Sequence, residues 1–152
     1  MYSLVPTTQE HIEELATTMR QVDRDEVWAA NHSTPLRALT NGVSLTEEPF
    51  TGLVDGKVVC IFGVSTMSFL SEDGTPWLLG SDLIEENKHV FLRMNRVYTR
   101  EIKKRYKSLS NYIDVRNTKT LVWLKWLGFT IHDPAPHGPD NMLFRKFEFR
   151  RK

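Results

Sequence analysis

Asn111-Tyr112-Ile113-Asp114-Val115-Arg116-Asn117, then Leu124-Lys125-Trp126-Leu127-Gly128-Phe129, is the stretch that decides how this chain folds. Tyr112, Ile113 and Val115 read as a strand. Thr118 to Leu127 reads as a helix, and Gly128 stands just past it, where a residue of positive φ closes a helical end. Phe129 to His132 then resumes an extended run. A strand, a helix and a strand in such close succession point to an α/β sheet whose crossovers pack on its faces.

Upstream, residues 87–107 form the longest helical pattern. Phe91, Met94, Tyr98 and Ile102 supply its buried stripe, while His89, Arg93, Arg96, Arg100, Lys103 and Lys107 step along an outer one. Before it, Trp77 to Ser81 is a strand that follows the turn-rich Ser71–Pro76. Phe50–Val54 and Lys57–Ser65 flank Asp55-Gly56, the chain's strongest hairpin signal. Nearer the start, Tyr2–Val5 is a short strand. Thr7 and Glu10 have capping-box spacing ahead of a helix over residues 8–20, with further helical pieces at Asp25–Ala30 and from Pro35. Met142–Phe149 closes the chain as a strand after the loop Pro134–Pro139. The expected architecture is one α/β domain over residues 1–152, in the order β-α-α-β-β-β-α-β-α-β-β, with helices on both faces of a mixed sheet.

At 152 residues, with 40% hydrophobic and 26% charged residues, the chain suits a single folded domain without disulfides. Its one cysteine, Cys60, lies in the apolar run Val58–Phe62 and reads as a buried thiol. His11, His32, His89, His132 and His137 are scattered, so no metal site is expected. No apolar run reaches membrane-helix length and no secretion signal is evident at Met1–Pro6, so a cytoplasmic location is expected. Net charge is +1, yet residues 1–87 carry −10 and residues 88–152 carry +11. Two readings of this asymmetry stay open: mutual neutralisation across one fold, and a basic helix face over 88–107 that meets nucleic-acid phosphates.

The element order, Asn117 and the ending Leu127-Gly128-Phe129 resemble the GNAT superfamily of acyl-CoA N-acyltransferases. A narrower resemblance, over residues 77–131, is to internal virion and morphogenesis proteins of tailed phages that share this fold. It is carried by Trp77, Ser81-Asp82, the basic helix, and Leu109-x-Asn111-Tyr112 through Asn117. The first resemblance implies acetyl-CoA as cofactor and acyl transfer to an amine. It implies that backbone groups of Leu79–Ser81 orient the acyl carbonyl, that Asn117 contacts the pantetheine arm, and that Lys88 or Arg93 touches CoA phosphates. Asp82, directly after its strand, is the candidate base. The second resemblance implies a non-enzymatic scaffold for a phage or host partner, in the host cytoplasm or the virion.

Two departures from the GNAT pattern stand out. No glycine occurs between Gly80 and Gly128, although the family cradles the CoA diphosphate in a glycine-containing loop after the fourth strand. The loop position instead carries Glu85 and Glu86. Where the family often places a proton-donating tyrosine, this chain has Leu124; Tyr98 and Tyr112 are alternative phenols, each also explicable as core packing.

Overall fold

The tightest turn in the molecule sets one half of the sheet. Asp55 and Gly56 take φ of 50° and 79°, the paired positive values of a two-residue hairpin, and join β2 (Phe50–Val54) to β3 (Lys57–Ser65). A bulge between Gly52 and Leu53 bends β2. β1 (Tyr2–Pro6) pairs antiparallel with β2, and β4 (Asp73–Gly80) pairs antiparallel with β3.

The other half is built on β8 (Met142–Arg150). It pairs antiparallel with β5 (Ser108–Asp114), with β6 (Thr130–Ile131) and with β7 (Ala135–His137). The halves meet where β4 runs parallel to β5, giving a mixed sheet of eight strands in the order β1-β2-β3-β4-β5-β8-β6, with β7 on β8. This computed structural model describes residues 1–68 and 70–152.

Helices cover both faces, as expected. α1 (Gln9–Thr18) and α3 (Pro35–Ser44) contribute Ile12, Leu15 and Leu39 to a cluster with Val58, Ile61 and Leu79. α2 (Gln21–Asn31) lies beside them. α4 (Leu83–Glu86) and α5 (Lys88–Arg105) bury Ile84 and Phe91 against Val59, Cys60 and Phe62 on the opposite face. α6 (Thr118–Trp126) lies on that side, with Leu121 and Leu124 packed on the cluster of Ile102, Leu109, Ile113 and Phe147. Complete burial of Leu15, Leu39 and Ile61 contributes roughly 1.5–3 kcal/mol each.

Several expected boundaries move. The cap of α1 is Thr8, whose Oγ1 accepts from His11 N–H; Thr7 Oγ1 instead bonds Thr51 Oγ1 at 2.9 Å. Three helices, rather than two, separate β1 from β2. Ahead of the long helix expected over 87–107 stands a separate turn, α4, closed by Asn87, whose N–H and Nδ2 both donate to the Leu83 carbonyl; the long helix itself begins at Lys88. It ends at Arg105, because Lys107 N–H donates to Glu72 O and draws the chain into β5. The loop Pro134–Pro139 contains β7. Cys60 is fully buried, which pushes its thiol up to about 11.

Candidate functional site

β4 and β5 stay together for only two register pairs, Asp73 with Ser108 and Gly74 with Leu109. Pro76 has no N–H to continue the ladder. Asn111 Nδ2 spans the first step of the divergence by donating to Pro76 O at 2.9 Å. Beyond that point α2 fills the role of the missing strand. Asp23 and Glu26 are three apart and share one helix face. Gly80 N–H at the end of β4 donates to Asp23 Oδ2 at 2.8 Å, and Asp114 N–H at the end of β5 donates to Glu26 Oε1 at 2.9 Å. Arg20 N–H completes the contact by donating to Gly80 O at 2.9 Å.

Between the strands lies a cleft of about 350 Å³. Leu92, Asn95, Tyr98, Trp123 and Leu124 line it from α5 and α6. Val27, Ala30, Ala38 and Gly42 line it from α2 and α3, and Tyr112, His137 and Phe144 close it from β5, β7 and β8. The β3–β4 register decides which backbone groups look into this space. Ser81 N–H donates to Val59 O, so by the antiparallel alternation Leu79 and Trp77 also turn theirs toward β3. Pro76, Leu78 and Gly80 turn the other way. Asn111 takes Pro76 O, α2 takes both groups of Gly80, and Leu78 is left presenting its N–H and C=O to the gap.

The carboxyl pair is unequal. Asp23, 1% exposed, receives Arg20 Nε at 2.7 Å in addition to Gly80 N–H. Burial raises its pKa, and the Arg20 and Gly80 donors oppose the rise. Glu26 has one backbone donor and no cation of its own. Burial, reinforced by the Asp23 charge, pushes it up to about 8, so Glu26 carries the proton at neutral pH.

An N-acetyltransferase of Staphylococcus aureus Mu50 superimposes with TM-score 0.75 at 12% identity, over 100% of this chain and 99% of that one. An acetyltransferase of the GNAT family from Streptococcus pneumoniae matches over the full length of both chains, with TM-score 0.65 at 11% identity. The fold is the GNAT fold. A Salmonella typhimurium protein, yncA, solved with its cofactor acetyl-CoA, shares it with TM-score 0.71 at 12% identity, over 100% of this chain and 95% of that one. No protein-family model matches the sequence, and no curated protein matches it. None of these findings supports the narrower phage resemblance.

Within the GNAT fold, the residues expected at the site separate into three places. Asn117 reaches the cleft: it is buried, its side chain makes no hydrogen bond among the described residues, and it lines the gap ahead of α6. Leu79 also lines the cleft, but its backbone faces β3. Ser81 and Asp82 lie instead at a separate small depression with Glu14, Lys57 and Glu86. Ser81 Oγ is occupied by the carbonyls of Val58 and Val59, and Asp82 is an exposed residue ahead of α4. Asp82 lines that depression and not the cleft. Lys88 and Arg93 are exposed and line neither space, since Phe91, Leu92 and Asn95 occupy the inward side of α5.

Where the GNAT resemblance would place a glycine loop, α4 forms a helical turn. The N–H groups of Ile84, Glu85 and Asn87 are spent on Ser81, Asp82 and Leu83 carbonyls, and Glu85 pairs with Lys119 at 2.9 Å. Part of the basic stripe is engaged as well. Arg96 lies over the Trp126 ring at 5.3 Å, and Lys103 Nζ donates to Leu127 O at 2.8 Å. Charges of the two halves do meet, in Arg105–Glu47 and Lys119–Glu85. Trp123 packs on Phe91 while lining the cleft.

The sequence reading missed Asp23 and Glu26. Their one signal is the spacing Arg20, Asp23, Glu26 on a single helix face, and it gains meaning only once β4 and β5 are known to part.

Proposed function

We propose that this chain is an acyl-CoA-dependent N-acyltransferase whose donor arm enters the gap between β4 and β5. The observation that carries the reading is the unpaired Leu78 backbone, turned into a cleft that also holds the free Asn117 amide. An extended pantetheine arm is a chain of amides, and an unpaired strand edge is what such a chain pairs with. The fit ends there: after β4 the chain offers a helical turn and two glutamates in place of a glycine cradle, so the arm rather than the diphosphate carries recognition.

A bound acyl-CoA would supply the activated acyl group. Leu78 N–H orients the carbonyl oxygen, and Asn117 holds the arm. Glu26 moves the proton: a bond forms between the acceptor nitrogen and the acyl carbon, the carbon–sulfur bond breaks, and one proton passes from nitrogen to sulfur. A carboxyl poised near neutrality suits such a relay, giving its proton to sulfur and recovering one from nitrogen. In this role it replaces the tyrosine absent at Leu124.

Calorimetry with acetyl-CoA, followed by thiol-release kinetics over a panel of amines, tests the reading. Glu26→Gln keeps an acceptor for Asp114 N–H but cannot relay a proton, so turnover is expected to fall about a hundredfold with donor affinity unchanged. Absence of heat with millimolar-range acetyl-CoA, on the order of 1 mM, overturns the proposal.

A further inference from the structure

We infer that the acceptor end of the cleft is a binding site for an aromatic primary amine. The inference rests on the transferase reading only in taking this end as the one that receives the acyl group; the walls of the site are independent of it. The α2–α3 side is apolar, made of Val27, Ala30, Ala38 and Gly42. Trp77 packs against Gly42 so closely that a Cβ there would sit 3.2 Å from its ring, and its Nε1 donates to Thr46 Oγ1 at 2.8 Å. The indole is thereby fixed, with its polar edge already satisfied.

An aromatic stack lines the cleft beside it. His137 lies 4.2 Å from Tyr112 with the rings 14° apart, and 5.0 Å from Phe144. The turn that carries His137 is seated on α2. Gly138 has φ +81°, and a Cβ on it would approach Ala29 O to 2.2 Å; nearby, His32 Nε2 bonds Asp140 Oδ2 at 2.8 Å. Flat, fixed walls favour a flat ligand, because little is lost in ordering either partner.

Charge selects in the same direction. Asp23 is offset by Arg20, and the remaining carboxyl at the centre, Glu26, is in its neutral form at neutral pH. The site thus offers no spare anion to draw a polycation. A compact amine on an aromatic body fills the end of the cleft, whereas a polyamine would place a second ammonium among Val27, Ala30 and Phe144 at a desolvation cost.

The test is a donor-free calorimetric titration with 2-phenylethylamine and with spermidine. 2-Phenylethylamine is expected to bind about tenfold more tightly. Tyr112→Leu keeps bulk but removes the ring, and should weaken this binding roughly fivefold; Tyr112→Phe keeps the ring and should leave it within about twofold. Equal or tighter spermidine binding, no heat with 2-phenylethylamine, or equal losses in the two Tyr112 variants overturns the inference. Because no donor is present, the two readings fail separately. An aromatic amine that binds but receives no acyl group removes the transferase reading and leaves this site standing. Acyl transfer to spermidine without affinity for 2-phenylethylamine does the reverse.

Discussion

Asp23 Oδ2 accepts the N–H of Gly80 at 2.8 Å, and so fastens a helix to the end of a strand more than fifty residues away. The same oxygen receives Arg20 Nε at 2.7 Å. Asp23→Ala strips the partly buried Arg20 guanidinium and the buried Gly80 N–H of their acceptor together, and should destabilise the fold by about 3 kcal/mol. Asp23→Asn, which keeps an oxygen for Gly80, should cost visibly less. Urea denaturation midpoints for the two variants check the ordering.

Glu26 gives stability a pH signature. Folded, it holds its proton up to about 8; unfolded, it releases it near the ordinary 4.5. Between those values the folded state binds the extra proton, so the contribution is complete at acid pH and is lost as pH rises toward the folded value. Glu26→Gln has no proton to lose. Its melting temperature should track wild type below the unfolded value and exceed it progressively up to about 8. Parallel thermal melts across that range would show whether the gap opens.

Asn117 stands at the start of α6 but makes no side-chain cap bond. Its removal therefore costs the helix little, whereas the amide proposed to hold the donor arm is lost. Asn117→Ala should weaken acetyl-CoA about tenfold while shifting the melting temperature by only about 2 °C or less. Unchanged affinity would refute the placement of the arm.

Gly138 combines a left-handed backbone with a backbone contact that no side chain could share. Gly138→Ala should destabilise by roughly 2 kcal/mol and lift the His137 turn away from α2. Carbonyl chemical-shift changes at Ala29 and Ala30, the two groups that Gly138 abuts, would report that lifting.

Much of the fold was legible because its signals are local. Asp55-Gly56 announces a hairpin, Pro35 opens a helix, and Gly128, at φ 95°, ends one. The cap at Thr8 rather than Thr7 was not, because Thr7 is claimed by Thr51 from across the sheet. The extra turn of α4 ahead of the long helix depends on the Asn87 side chain folding back on Leu83. Strand alternation is what separates Leu78 from Leu79, and the sequence alone does not give the register. Asp23 and Glu26 were hidden for a further reason: neither is unusual until Gly80 and Asp114 are known to need acceptors, and those needs arise only where two distant strands part.

Helix α2 also acts as a caliper. The distance between the jaws of the cleft is fixed by three residues of helical rise from Asp23 to Glu26, rather than by any pairing of β4 with β5. A change of spacing in this one helix, such as a residue gained between Asp23 and Glu26, would reset the width of the opening while every strand kept its neighbours. The size of the cleft can therefore drift without any alteration of the sheet.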